Sequence, residues 1–225
     1  MRRPLPAAVL FDMDGLLIDS ERLALASVAQ AAAAIGWKIP DDVAHRLIGL
    51  GRDNGSHVLL SALGDDFPVL SFWESWLANY RDRVGAGVPA KTGATHALEA
   101  LQAQNVRCAV ATSTETELAR HKLDKAGLLR YFDVVVGRDT VAHGKPSPDL
   151  YLHAASRLGA IAAQCWAFED SLPGLTAAVA AGARTHWVPD IAKIHADDLP
   201  SGVETIESLH EICRWLGVAS DQASL

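Results

Sequence analysis

Chemically active side chains follow short apolar runs at four places in this sequence. They are Asp12 and Asp14; Thr112, Ser113 and Thr114; Lys145, beyond a short loop; and Glu169 and Asp170. In an open parallel sheet, ligands bind outside the carboxyl ends of the strands, so parallel strands would bring these four groups to one edge. The pattern therefore predicts a single site built from all four groups.

These residue types together suit the transfer of a phosphoryl group. Clustered carboxylates repel one another unless a hard cation neutralises them, and oxygen ligands with few imidazoles suit Mg²⁺. A lysine with hydroxyl and amide donors at a helix start can hold a phosphoryl group. One carboxylate can attack phosphorus to form an aspartyl-phosphate. A second carboxyl two residues along can protonate the leaving oxygen and later deprotonate water.

Each group also has a purely structural interpretation when it is considered alone. The first pair, followed by Gly15, is typical of a turn. The hydroxyls could cap a helix that begins at Glu115, the lysine could be an ordinary surface residue, and the last pair could cap a helix that Pro173 starts. One shared site explains all four groups at once, and we prefer it for that reason.

Five short apolar runs are predicted to be the buried strands that position these groups. They are Ala7–Phe11, Val106–Ala111, Phe132–Gly137, Cys165–Phe168 and Thr185–Val188. From the second run onward, strands alternate with helical patterns, including one helix with Ser147 at its N-cap and Pro148 in its first turn, and another from Pro173 to Ala181. Alternation of this kind predicts an α/β fold with a parallel sheet covered on both faces.

The interval between the first two strands contains helical pattern and no convincing strand. An apolar stripe from Leu25 stops at Gly36, and further helices are predicted near 41–48, 53–63 and 67–84. The Gly- and Pro-containing segment 85–89 is predicted to be a hinge back to the sheet. We therefore expect an all-helical domain, residues 18–87, inserted into a core domain formed by residues 1–17 and 88–225.

Composition excludes several classes of function. The chain has 225 residues, 49% of them apolar, and a formal net charge of −7. This charge, with no long Lys/Arg cluster, disfavours sequence-independent binding to nucleic acid or to an anionic membrane. No apolar segment approaches the length of a membrane span. Cys108, Cys165 and Cys213 lack metal-ligand spacing and are predicted to be reduced thiols of a cytoplasmic protein. Nothing in the sequence requires an oligomer, and a monomer is compatible with it.

The four groups, in this order, resemble the four motifs of the haloacid dehalogenase superfamily. The matching residues are Asp12-Met13-Asp14-Gly15, Thr112 after a strand, Lys145, and Glu169-Asp170. The resemblance covers essentially the whole chain, and the four-part combination is highly specific. It implies a Rossmann-like three-layer core with a helical cap inserted after the first motif, where the extra helices are found.

The resemblance also implies a role for each residue. Asp12 would be the nucleophile and Asp14 the general acid/base. Thr112, the Ser113 amide and Lys145 would hold the phosphoryl oxygens. Mg²⁺ would be bound by the Asp12 carboxylate, the Asp14 main-chain carbonyl and Asp170, with Glu169 near or among the ligands.

Single residues separate the branches of this superfamily. The dehalogenases of the superfamily lack a carboxyl at the position of Asp14 and use no Mg²⁺, so Asp14 argues against that activity. Its phosphonoacetaldehyde hydrolases need a lysine in the cap, and Lys38, at a helix end, does not match that lysine. The closest resemblance is to the group of β-phosphoglucomutases, phosphoglycolate phosphatases and sugar-phosphate phosphatases. The mutases usually have a histidine where Ala24 stands here.

Substrate choice is predicted to involve the cap. The glycine-rich segment 49–55 matches the place of a cap loop that reaches over the site in this group, and it contains Arg52. Arg52 could meet a substrate hydroxyl or a second anion, or it could be a solvent-facing helix-start residue. Glu21 could face the cleft, or it could cap the first cap helix.

The function expected from all these features is Mg²⁺-dependent hydrolysis of a small phosphorylated metabolite, such as a sugar or polyol phosphate, through an aspartyl-phosphate. A phosphosugar mutase is the alternative within the same class. A non-catalytic module that binds a phosphorylated ligand is the alternative from another class, since fold alone does not decide function. Such a module has no need of both Asp12 and Asp14, and their joint presence favours an enzyme.

Overall fold

The computed structural model of this chain describes residues 3–48, 50–191 and 194–218. The chain divides into two compact units, one formed by Met1–Ile18 with Pro89–Leu225 and the other by Asp19–Val88. The boundaries lie one residue from those expected from the sequence. That the second unit acts as a cap stays a prediction.

The first unit contains a sheet in which every strand pairs in parallel with its neighbours. Its strands are β1 Val9–Phe11, β2 Cys108–Ala111, β3 Val134–Val136, β4 Trp166–Glu169, β5 Arg184–Trp187 and β6 Glu204–Thr205. Their spatial order is β3-β2-β1-β4-β5-β6, so β1 lies inside the sheet between β2 and β4. The predicted parallel α/β architecture is confirmed.

Helices cover both faces of this sheet. The α-helices of the first unit are α5 Ala94–Ala103, α6 Thr116–Lys125, α7 Asp149–Arg157, α8 Leu172–Ala180 and α9 His210–Leu216. Four short 3₁₀ helices also occur, at Leu129–Tyr131, Arg138–Thr140, Ala162–Gln164 and Ala196–Asp198. Leu10 packs with α7 and α8 in one apolar core. Successive strand residues point to opposite faces, and on the other face Phe168 stacks on Trp215 of α9 with ring centroids 6.1 Å apart.

Two local details differ from the sequence-based expectations. The strand β6 was not predicted, because its two residues are partly exposed and form no apolar run. The predicted cap at Ser147 is wrong: Pro148 occupies the N-cap position of α7, and the Ser147 hydroxyl donates a hydrogen bond to Asp149 (2.7 Å) instead of accepting one from a helix N–H. The helix at α8 has a true side-chain cap, since Ser171 Oγ accepts from Gly174 N (3.3 Å).

In the described residues of the second unit, all of the named secondary-structure elements are helices. Its helices are α1 Ser20–Ala34, α2 Asp41–Arg46, α3 Arg52–Leu63 and α4 Val69–Ala86. They enclose their own apolar core, to which Phe72 and Trp73 contribute. Gly85 and Ala86, predicted to lie in a hinge segment, are the last two residues of α4. Gly49 lies outside the described residues.

Among the described residues, no helix combines the length and apolarity that crossing a bilayer requires.

His186 of β5 is buried in the first unit with no exposed surface. Its ring stacks on Phe168 with centroids 4.8 Å apart, and Nδ1 lies 3.2 Å from the Ala167 carbonyl oxygen. The pKa of His186 is lowered from 6.5 to about 4, mainly by burial; the hydrogen bond with the Ala167 carbonyl and the charge of Glu204 oppose this shift, and the charges of Arg3 and Arg184 add to it. The folded chain therefore contains His186 in its neutral form at neutral pH.

This burial predicts a stability that falls in mild acid. Below pH 6.5 the unfolded chain binds a proton at His186 that the folded chain rejects until pH is near 4, so stability decreases as pH falls through this window. The loss from this residue amounts to about 3 kcal/mol. Urea midpoints measured from pH 7 to pH 4 should fall more steeply for wild type than for His186→Gln. The exposed His57→Gln control should keep the wild-type slope, and equal slopes for all three proteins would contradict the prediction.

Candidate active site

The pairing of β1 with β4 brings the first and last of the predicted groups together. Phe11 pairs with Phe168, and the Asp12 N–H continues the ladder by donating to the Phe168 carbonyl (3.0 Å). Asp12 and Glu169 therefore come to lie at the carboxyl ends of adjacent strands. Both are buried, Asp12 with 7% of its surface exposed.

Lys145 reaches this pair from the segment between β3 and α7. Its ammonium contacts Asp12 Oδ1 and lies 2.6 Å from Glu169 Oε1. The lysine is therefore a bridge between two buried carboxylates, and the interpretation as an ordinary surface lysine is wrong.

Glu169 is held by donors on both carboxylate oxygens. Oε1 accepts from Lys145 and from the Tyr151 hydroxyl (2.8 Å). Oε2 accepts from the N–H groups of Asp170 and Ser171 (3.1 Å each) and from the Ser171 hydroxyl (3.0 Å). This carboxylate is a fixed anchor for Lys145 and for the chain that enters α8.

The electrostatics of the site follow from burial and from this bridge. Burial raises the pKa of Asp12 to about 8; Lys145 opposes this, and the charges of Glu169 and Asp14 add to it. Burial alone would lower the pKa of Lys145, but Asp12 and Glu169 outweigh it and raise that pKa. The pKa of Tyr151 is also raised, by burial and by Glu169, so its hydroxyl stays a donor.

Asp170 adds a third carboxylate to the cluster. One oxygen from each of Asp12, Glu169 and Asp170 lies within 4.8 Å of the others, and all three residues are buried. The ammonium of Lys145 contacts two of these carboxylates, Asp12 and Glu169. A cluster of carboxylate oxygens is the kind of ligand set that a hard divalent cation prefers.

Asp14 lies in a turn that begins after β1. Gly15 has a φ of +85°, a conformation that favours glycine, and its N–H donates to the Ile18 carbonyl (3.0 Å). The Asp14 carboxylate accepts from Lys122 Nζ at Oδ1 (2.9 Å) and from the Thr114 hydroxyl at Oδ2 (2.7 Å). Asp14 therefore lies in a turn, as one interpretation of the sequence predicted, and this position is compatible with a functional role for its carboxylate.

Thr112 and Ser113 directly follow β2. Thr112 is buried, and its Oγ1 accepts from the Thr114 N–H (3.1 Å), whereas Ser113 is exposed. The hydroxyls of Thr112, Ser113 and Thr114 therefore do not cap α6. The carboxylate of Asp139 takes that place, because it accepts from the Thr116 N–H at the start of α6 (2.7 Å).

The two predicted substrate-specificity residues belong to the second unit. Glu21 is half-buried in the first turn of α1. Arg52 is exposed and is the first residue of α3, where its main-chain carbonyl accepts from the Ser56 hydroxyl (2.8 Å). Their roles toward a substrate stay predictions.

The sequence interpretation missed two residues that contact this site. Tyr151 lies on the buried face of α7, and its hydroxyl gives no separate signal in the sequence. Lys122 did give a signal, because it stands between Ala119 and Leu123 on the buried stripe of α6. A charged residue at a core-facing helix position needs a partner, and here that partner is Asp14.

Comparison with known proteins agrees with this geometry. Residues 9–188 match the family described as haloacid dehalogenase-like hydrolase. The chain belongs to this family.

Named relatives include enzymes that act on phosphate esters. The phosphorylated carbohydrates phosphatase of Thermotoga maritima is 33% identical over 175 residues, which cover 78% of this chain and 81% of that protein. A solved haloacid dehalogenase family hydrolase of Deinococcus radiodurans, with bound phosphate and sodium, is 29% identical with a TM-score of 0.79 over 94% of this chain and 95% of that one. A CbbY variant of Rhodobacter sphaeroides, solved in complex with xylulose-(1,5)bisphosphate, is 26% identical with a TM-score of 0.73 over 92% and 96% of the two chains.

The anchoring of Glu169 predicts that Gly174 tolerates no side chain. A Cβ at this position would lie 1.7 Å from Glu169 Oε1, so either the carboxylate or the start of α8 must move. We expect Gly174→Ala to lower the free energy of unfolding by about 1–3 kcal/mol, the usual cost of overpacking. Chemical denaturation measures this loss.

The matched control is Thr176→Ala, which changes an exposed side chain two residues later in α8. It should stay within about 0.5 kcal/mol of wild type. A Gly174→Ala protein as stable as this control would show that Glu169 is not held where the structure places it.

Proposed function

We propose that this protein is a Mg²⁺-dependent phosphatase that hydrolyses small phosphomonoesters through an aspartyl-phosphate on Asp12. The observation that carries the proposal is the buried Asp12 carboxylate, bridged by Lys145 and followed two residues later by a second carboxylate, Asp14. The name of the Thermotoga relative supports hydrolysis of phosphorylated carbohydrates, and sugar or polyol phosphates are our proposed substrates.

The cluster fits a divalent cation by its chemistry. Five donors already occupy the oxygens of Glu169, so this residue fits the role of an anchor outside the ligand set. The carboxylates of Asp12 and Asp170, with the Asp14 main-chain carbonyl, are our proposed ligands. The ion, when bound, would neutralise and orient the phosphoryl oxygens.

The residues of the chain have distinct tasks in this proposal. In its ionised form, which a bound cation would favour, Asp12 attacks phosphorus while the bond to the leaving oxygen breaks, and Asp14 gives that oxygen a proton. A water molecule then attacks the aspartyl-phosphate, its proton passes to Asp14, and Asp12 is released. Lys145, Thr112 and the Ser113 amide hold the phosphoryl oxygens during both steps.

The second unit supplies selectivity in the same proposal. Glu21 and Arg52 are our candidates for contacts with the substrate beyond its phosphoryl group. Movement about residues 15–19 and 87–89 would admit the substrate and exclude bulk water during the reaction. We propose that the enzyme is cytoplasmic and has no nucleic-acid or membrane partner; a monomer is compatible with the sequence.

Replacement of the nucleophile tests the proposal directly. Asp12→Asn keeps the size of the side chain and removes its nucleophilic oxygen, so phosphate release should fall at least about a thousandfold. The measurement is phosphate release from a panel of sugar, polyol and glycolate phosphates, with Mg²⁺ and with a chelator. Chelation should abolish release by the wild type and excess Mg²⁺ should restore it.

Asp124→Asn is the control, because it makes the same change at an exposed position on α6. It should release phosphate at the wild-type rate. Release that persists in Asp12→Asn or under chelation would contradict the mechanism. Interconversion of hexose phosphates without net release would favour the mutase, and binding without turnover would favour the non-catalytic module.

A further inference from the structure

Lys122 occupies a helix position that usually holds an apolar residue. It lies in α6 on the buried stripe with Ala119 and Leu123, and only 4% of its surface is exposed. Burial of an ammonium costs free energy unless it is paired and hydrogen-bonded.

The ammonium of Lys122 lies against the carboxyl to which the proposed function gives the role of acid and base. Lys122 Nζ is 2.9 Å from Asp14 Oδ1, and the Thr114 hydroxyl is 2.7 Å from Oδ2. The Asp14 side chain is 27% exposed, so it is more open to solvent than the lysine that holds it.

We propose that Lys122 is a positioning residue that, together with Thr114, orients the Asp14 carboxyl and leaves Oδ2 as the oxygen that exchanges the proton. This inference rests on the proposed function, because it gives Asp14 the role of acid and base.

The donor and acceptor properties of the two partners select the oxygen. An ammonium only donates, so Oδ1 cannot hold a proton toward Lys122 and keep that contact. A threonine hydroxyl both donates and accepts, so it can rotate and stay in contact with Oδ2 whether or not Oδ2 is protonated. In the first step the proton leaves Oδ2 for the leaving oxygen as the bond from that oxygen to phosphorus breaks. In the second step Oδ2 takes a proton from the attacking water.

Substitution of Lys122 by methionine distinguishes a positioning role of this lysine from a merely structural one. Removal of one partner from a buried ion pair usually destabilises the folded protein. A merely structural Lys122 therefore predicts that Lys122→Met loses stability and that any loss of activity is the same for every leaving group. A positioning Lys122 predicts a folded protein in which proton donation by Asp14 is impaired.

The experiment compares kcat/KM for two leaving groups, since a poor leaving group needs the proton and a good one does not. With glycerol phosphate, whose alkoxide leaves poorly, Lys122→Met should lose about 10- to 100-fold, part of the usual general-acid contribution. With p-nitrophenyl phosphate, whose phenolate leaves without protonation, the loss should be less than about threefold. The control Lys125→Met, at an exposed lysine of the same helix, should change neither value.

A second comparison keeps the test valid if Lys122→Met does not fold. Thr114→Val removes the hydroxyl that donates to Asp14 Oδ2 and should show the same dependence on leaving group. In the Asp14→Asn background, neither substitution should lower kcat/KM further, because the group that they position is already inactive.

Equal losses with both leaving groups, or further losses in the Asp14→Asn background, would overturn the inference. These outcomes are separate from failure of the proposed function. If Asp12→Asn retained activity, the mechanism itself would fail. If Asp12→Asn were inactive while Lys122→Met and Thr114→Val matched Lys125→Met, only the role of Lys122 would be wrong.

Discussion

The site depends on one interaction, the bridge that Lys145 makes between Asp12 and Glu169. Two carboxylates at the ends of adjacent buried strands repel each other, and burial further disfavours their charged forms, as the raised pKa of Asp12 shows. The Lys145 ammonium contacts both carboxylates directly and supplies positive charge between them. Without it, these two carboxylates would lack the charge that compensates their burial.

The parallel sheet itself supplies the geometry for this bridge. Parallel pairing of β1 with β2 and β4 aligns the carboxyl ends of three central strands, so residues that follow them are neighbours without any specific side-chain contact. The Tyr151 hydroxyl and the main chain before α8 then fix Glu169. The order of dependence runs from the sheet to Glu169, from Glu169 to Lys145, and from Lys145 to Asp12.

The parts that the sequence predicts well are those with a local signature. Apolar runs followed by Asp12, Thr112 and Glu169 mark strand ends, and helix punctuation by proline and glycine places the helices within a few residues. Contacts made by tertiary packing have no such signature: the sequence does not show that the Tyr151 hydroxyl meets Glu169 or that Asp139 replaces a local hydroxyl at the start of α6. The strand β6 is too short and too exposed to form an apolar run.

The two aspartates of the first motif lie two residues apart and yet have different surroundings. Asp12 is nearly enclosed beside Lys145 and two further carboxylates, whereas Asp14 is more open and is held by Lys122 and Thr114. A nucleophile needs an unprotonated oxygen aimed at phosphorus, and an acid needs a proton that can leave toward solvent or substrate. Two carboxyls in identical surroundings could not divide these tasks, since equal environments give equal proton affinities. The turn at Gly15, which carries Asp14 away from the β1 axis toward α6, is therefore as much a part of the proposed chemistry as the carboxylates themselves.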